Sequence, residues 1–577
     1  MAAIRTMPRY RPLFFLTASL ILGGGAVGAA EPKVIALPPY LVEENSKPLP
    51  WRHADVAGWE VLSTCSERLT RELIANHHRL HTLLGELLPP AFQLNLSAKR
   101  TLLFVDSTHQ PPTSQEVVAQ MALTAAEQDR LDDVVVPIDD GRLRRRPPPP
   151  RYTYLPNLRL WDRDAGVLFA MVKESEFNAN RIALTPDYVA HLLRNRLPAL
   201  PPWYVSGVLT LFARARFTED ALTIDRLDWL SEAGSAALKS GSAANRALLP
   251  LGAFLDGNLA SADPAQGEAL SLWQAQSALF VHWGLAGRGA PRRTAFWKFT
   301  ARAATESVTE ALFQECFGLD FATAQQQLTA HLPAAMRDRL ALRPASRPRL
   351  PDFPLRPAGE AEIARIKGEW ERLEVGFVKT QFPILVSKYV AQARRTLLRA
   401  YERGHRDPPL LAVMGLCEVD AGDDGAARDF LEAAAAGNAL LRPRAGFELA
   451  RLRFAALRAG RTSGAPGLSA EQAGTVLTPL LAARGLPPPL PEVYELIADV
   501  WANSALAPSR ADLAALEEGV RLFPRRTELV HRTAELNLRH GFTDTARWLI
   551  TLGLTLAPDA ATRARFEALQ AHAGAVR

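Results

Sequence analysis

Residues 187–212, DYVAHLLRNRLPALPPWYVSGVLTLF, read as a helix bearing His191, a Pro-Pro-Trp turn and a second apolar helix. A helical histidine can be a zinc ligand, and a partner four residues on shares its face. Zinc hydrolysis needs three protein ligands, an open fourth position and a glutamate to take a proton from the bound water. Here the fourth residue on is Asn195, a poor ligand, and Leu192 beside the histidine cannot act as a base. Glu219 and Asp220, downstream, are the acids available as replacements. The expectation is no metal and no catalysis at His191, which becomes a satisfied or partly exposed helix residue. His77 and His81, in NHHRLH, also stand four apart, without a glutamate between them or an evident third ligand. They are expected on a solvated helix face, with adventitious metal binding at most. Ser206 precedes Gly207 in Tyr-Val-Ser-Gly-Val, which is no nucleophile elbow. A hydroxyl there suits the N-terminus of the second helix. Trp203, after two prolines, suits a core wedge between the helices. There is no glycine-rich phosphate loop.

The elements that must position these groups occupy 577 residues, enough for several domains, and 48% hydrophobic content supports real cores. Residues 1–30 read as a secretory signal: Arg5, Arg9 and Arg11, a short apolar run from Leu13 to Leu22, then small residues. Without that segment the net charge falls from +6 to +3, with only nine lysines in the chain. That modest charge gives no support to a nucleic-acid partner. No later stretch is long and apolar enough to span a bilayer, so the mature chain is expected to be an exported, periplasmic or extracellular protein. Cys65, Cys316 and Cys417 lie far apart and form neither a disulfide framework nor a zinc motif; buried thiols in apolar helical surroundings are expected.

Residues 31–50 read as an extended segment. GWEVLS reads as a strand, Ser66 to Leu88 as a helix and KRTLLFVDS as a strand. LRLWDRDAGVLFAMVKE reads as two strands about a turn. Residues 108–133 read as a surface excursion with a helix. Arg142 to Arg151, with four prolines and acids just before it, reads as a mobile surface loop. From Pro186 to about Leu340 helices dominate, including SLWQAQSALFVHWGL and a helix–turn–helix at FQECFGLDFATAQQQLTAHL.

Taken in order, these patches resemble the gluzincin-like "peptidase MA" type of metallopeptidase. Its first site helix carries H-E-x-x-H and its second opens like P-x-W-x-x-E-G-x-A. On that pattern His191 matches the first histidine, while Leu192, Asn195 and Ser206 replace the catalytic Glu, the second His and the Glu before Gly207. Pro202, Trp203 and Gly207 keep the frame. The resemblance covers roughly residues 51–340 and implies an α+β zincin-like domain with a vestigial groove at Trp203, Ser206 and Gly207. Zinc is implied only if other ligands have replaced the missing ones.

ALRPASRPRLPDFPLRPA, at 341–358, is the clearest boundary, and residues 359–577 read as all helix. ALEEGVRLFP and WLITLGLTLAP repeat with a spacing of 34: Pro524 with Pro558, Leu516 with Ile550, Gly519 with Gly553. Gly541 and Ala546 stand where a tetratricopeptide repeat places its turn glycine and packing alanine, and Gly415, Gly422, Ala427, Leu431 and Ala434 follow the same order earlier. This resembles a degenerate tetratricopeptide solenoid of three to five hairpins. The expected function is non-catalytic binding of a peptide or protein partner. A working metal-dependent peptidase with replaced ligands and a scaffold of an envelope assembly remain open.

Overall fold

The structure is a computed structural model. It describes residues 50–575 apart from 57, 89–99, 107–134, 138–142, 146–152, 155–157, 180–181, 195, 230–247, 257–266, 287–290, 345–348, 437–441 and 461–466. The expected signal, nearly all of the extended N-terminal segment, the excursion at 108–133, Asn195 and most of the Arg142–Arg151 loop lie outside the described residues; within that loop Leu143–Arg145 pairs as a strand with Val135–Pro137.

Period-two alternation builds a six-stranded sheet. Its strands are β1 (Arg52–Val56), β2 (Trp59–Ser63), β3 (Arg100–Asp106), β4 (Leu158–Trp161), β5 (Gly166–Val172) and β6 (Arg356–Pro357). The order is β6-β1-β2-β3-β5-β4. β2, β3 and β5 run parallel, and β1 and β4 are antiparallel to their neighbours. Helix α1 (Glu67–Gly85) links β2 to β3, and Ser66 caps it by accepting from the Leu69 amide.

One face of the sheet carries Val61, Leu102, Phe104, Leu168 and Ala170 into a core shared with α1, α2 (Pro186–Arg194), α3 (Pro202–Phe212) and α4 (Gly267–Leu285). The opposite face carries Leu62, Leu103, Val105, Val167 and Phe169, and it is covered by Ile366, Trp370 and Leu373 of α5 (Glu360–Gln381). Each such side chain, fully buried, contributes about 1.5–3 kcal/mol. Both faces are therefore apolar, as a mixed sheet with a parallel centre covered by helices on both sides requires.

The proline-rich segment is no free tether. Leu340–Leu342 pairs with Leu222–Ile224, and Arg356–Pro357 pairs with Arg52 and His53 as the edge strand β6. The helix that follows is the second layer of the sheet. Residues Leu49–Arg577 thus form one compact unit, because the first helix of the all-helical region completes the core of the α+β region.

Beyond α5 the chain is a tetratricopeptide-like array of helical hairpins. α5 pairs with α6 (Val386–Glu402), α7 (Pro408–Ala421) with α8 (Asp424–Ala436), and α9 (Pro443–Ala459) with α10 (Ala470–Arg484). α11 (Pro491–Ala502) pairs with α12 (Arg510–Leu522), α13 (Thr527–Arg539) with α14 (Thr543–Leu556), and α15 (Ala560–Ala575) packs last. Gly422 and Gly541, at φ +82° and +83°, make the turns within two hairpins. Ala427, Leu431, Ala434 and Ala546 are all fully buried. The 34-residue echo has a steric cause. A Cβ on Gly519 would meet the Tyr494 ring at 2.5 Å, and one on Gly553 the Phe566 ring at 2.2 Å. Each glycine is a notch for an aromatic ring from a neighbouring helix.

Candidate functional site

Register places the site. Trp59 of β2 lies beside Arg100 of β3, and on β4 and β5 Trp161 faces Gly166. Arg100 shares the parity of Leu102 and Phe104, so a cation leads an otherwise apolar face. Gly166 has no side chain to fill its place in that row. A Cβ there would sit 2.3 Å from the Trp161 ring, so the glycine lets that ring fold over it toward Arg100. The Arg100 guanidinium carbon stands 5.6 Å from the Trp59 ring and 5.4 Å from Trp161. The His191 ring stacks on Trp161 at 3.8 Å and 22°. His77 at 4.4 Å and His81 at 4.9 Å meet the Trp59 ring edge-on. Both histidine motifs thus lie against rings that Arg100 approaches, His191 against Trp161 and the His77–His81 pair against Trp59.

His77 and His81 are buried, at 2% and 4% exposure, which corrects the expectation of a solvated face. They continue the stripe of Thr70, Leu73 and Ile74 that α1 turns inward. The Tyr188 hydroxyl of α2 bonds His81 Nε2 at 2.7 Å. Burial first, then the Arg100 charge, lowers His77 to about 3. His81 is driven well below its ordinary value by burial, then by His77 and Arg100. Both rings are neutral at pH 7.

Arg100 stands 5.6 Å from the Trp59 ring and 5.4 Å from Trp161, the rings these histidines touch, and a guanidinium there opposes a second cation. Glu219 and Asp220 sit in the 218–221 turn; Asp220 faces Arg343 at 3.6 Å, and neither lines the cavity beside His191. Leu192 is buried and apolar. Among the described residues, His53, Asp55 and Glu60 converge at metal-like spacing. Glu60, however, accepts from both terminal nitrogens of Arg365 and from His53 Nε2, so its charge is already compensated.

The expected groove residues serve packing instead. Trp203 is 1% exposed, stacked on Phe299 at 5.8 Å and edge-on to Phe280 at 5.1 Å. A Cβ on Gly207 would meet the Ser277 carbonyl of α4 at 2.4 Å, so the glycine permits the close crossing of α3 and α4. Ser206 is the fifth residue of α3, not its cap. The helix begins at Pro202 after Pro201, without a side-chain cap, because proline already supplies the starting φ. Cys65 and Cys417 are buried and pushed up to about 12 by burial; Cys65 lies in the β2–α1 turn rather than a helix, and Cys316 is half-buried.

The cavity lies on the other side of α2. About 690 Å³ is enclosed between α2, the β4–β5 turn, the residues leading into α11 and the loop after α12. Trp161, His191 and Leu192 form one wall; Leu490, Pro491 and Phe523 form the facing one. Arg100 and Arg196 reach it from the sheet side. Arg196 is 8% exposed and lowered to about 10, by burial first and then by Arg100. Sequence reasoning missed both arginines, although the inward parity of Arg100 was a readable signal.

Beside the cavity, the turn after β4 is clamped into the repeat array. Arg372 of α5, at 1% exposure, donates to Asp162 Oδ2 at 2.6 Å, Glu369 at 2.9 Å and Asp420 at 2.5 Å. Arg442 donates to Asp164 at 2.7 Å and Glu369 at 2.9 Å. Arg444 bonds Asp162 and Asp420 through its guanidinium, and its amide donates to Asp164 at 2.8 Å. Burial alone would raise Asp162 and Glu369. The arginine charges outweigh it, holding Asp162 far below the usual carboxylate range and Glu369 at about 2.

No known family profile matches the chain, and no curated protein matches its sequence. Among solved structures the chain is similar to MamA, at 12% identity over 33% of this chain and 93% of that one, with a TM-score of 0.22. It is also similar to YrrB, a TPR protein described as having an unusual peptide-binding site, at 13% identity over 37% and 98% with a TM-score of 0.25. A thermophilic TPR protein of Thermus thermophilus, TTC0263, gives 19% identity over 35% and 99% with a TM-score of 0.23.

Proposed function

We propose that this chain is an exported, non-catalytic protein that binds a peptide or protein segment. Its residues 51–340 are a zincin-like frame without a metal centre, and the repeat array closes a binding cavity against that frame. The observation that carries this reading is the cavity itself, walled on one side by the His191 helix and on the other by two repeat hairpins. The sequence of strand, helix, strand, β-hairpin and helix pair supports the zincin-like frame, and so does the position of α2 beside the edge strand β4. β4 is the last strand of its sheet, so an extended segment can pair along it. Repeat arrays present extended surfaces of the same use. The basic, apolar and small-residue order of residues 1–30 supports export. Among the described residues, no helix is long and apolar enough to cross a membrane.

Metal analysis of the purified full chain, with hydrolysis of unfolded casein and binding to an extended-peptide array as companion measurements, tests the reading. Substoichiometric zinc, no hydrolysis and saturable peptide binding are expected. Stoichiometric zinc lost in His191→Ala, together with hydrolysis, would overturn it.

A further inference from the structure

We propose that the cavity is a carboxylate-binding site that selects an acidic peptide, with Arg100 as its innermost anchor. This rests on the reading of the cavity as a peptide site and names the chemistry it takes.

Arg100 is the central observation. Its guanidinium lies 5.6 Å and 5.4 Å from two indole rings, and its Nε and Nη1 are buried and meet no hydrogen-bond acceptor among the described residues. A buried guanidinium without an anion is costly to keep. The fold keeps it, and the indoles aim it at the cavity rather than neutralise it. Five further arginines line the same space: Arg163, Arg194, Arg196, Arg525 and Arg526. Against them stand only Asp162, Asp164 and Glu492. The two aspartates are occupied by Arg372, Arg442 and Arg444, and Glu492 faces Arg163 at 3.8 Å. Among the described residues, no carboxylate is within ion-pair distance of Arg100, Arg194, Arg525 or Arg526. The missing partner is an anion, and planar guanidinium groups match carboxylates bidentately.

The rest of the wall selects a peptide over a small inorganic anion. Trp161, His191, Leu490, Pro491 and Phe523 offer flat apolar surface, and the volume lies within the usual range of about 300–1,000 Å³ for ligand sites. Cations stand on both sides, Arg194 on α2 and Arg525 with Arg526 on the repeat array, so a segment with spaced carboxylates can engage both.

Fluorescence anisotropy on the full chain tests this with a labelled Glu-Val repeat octapeptide and its Gln-Val counterpart. The acidic peptide is expected to bind and the neutral one to bind far more weakly. Arg100→Gln should weaken acidic-peptide binding by about thirtyfold or more. Arg525→Gln with Arg526→Gln, on an exposed loop where folding is not at risk, should weaken it several-fold and flatten its salt dependence. Inorganic phosphate should compete only weakly. Equal binding of both peptides, or acidic-peptide binding unchanged in both variants, overturns the carboxylate assignment and leaves the peptide site standing. Binding of phosphate alone overturns the peptide chemistry. No binding of either peptide or phosphate overturns both proposals.

Discussion

Two arginine groups flank the Asp162–Arg163–Asp164 turn, and they are built in opposite ways. On the repeat side, buried Arg372 and Arg444 and half-buried Arg442 are set among Asp162, Asp164, Glu369 and Asp420, each cation shared between two or more of them. On the cavity side, Arg100 is half-buried, its Nε and Nη1 buried near two indoles with no carboxylate beside them among the described residues. The first group spends its charge within the fold and fixes the turn to the array. The second leaves its charge uncompensated toward a space large enough for a ligand. Buried charge, then, reads as structure where the partners are present and as a site where they are missing.

The largest effect expected is at the seam. Arg372→Met leaves Asp162, Glu369 and Asp420 short of a buried partner and should cost about 3–5 kcal/mol, read from denaturant melts. A near-neutral result would erase the distinction between the groups. Acid comes next. Glu369, depressed to about 2 when folded, contributes stability that is full above its unfolded value near 4.5 and is lost as pH falls toward 2. His77 and His282, lowered to about 3 and about 4 by burial, take up protons on unfolding and so subtract stability as pH falls below 6.5. Melting temperature should therefore decline in two stages, and replacing Glu369 by Gln should remove part of the lower one only. The smallest effect has the opposite sign. Arg100→Met removes a half-buried cation whose Nε and Nη1 lack an acceptor and should raise stability in anion-free buffer by on the order of 1 kcal/mol, with peptide binding lost. A loss as large as that of Arg372→Met would show Arg100 to be structural.

Local periodicity was the legible part of this chain. The strands at Trp59–Ser63, Arg100–Asp106 and Gly166–Val172 follow from alternation, and the hairpin glycines follow from the 34-residue echo. His77 and His81 were misread although they continue an apolar stripe, because their type drew more attention than their phase. Ser206 was misread because Pro202 starts its helix four residues earlier. Prolines concealed the pairing strand at Arg356–Pro357, which needs few donated hydrogen bonds at a sheet edge. The seam and the cavity were illegible for a different reason. Asp162 meets Arg372 across 210 residues and Arg444 across 282, and no local spacing encodes such meetings.

The short strand β6 has a wider consequence. Two residues long and ending in proline, it offers the β1 margin almost nothing on which another chain could nucleate. Lateral growth of the sheet is thereby discouraged at that end.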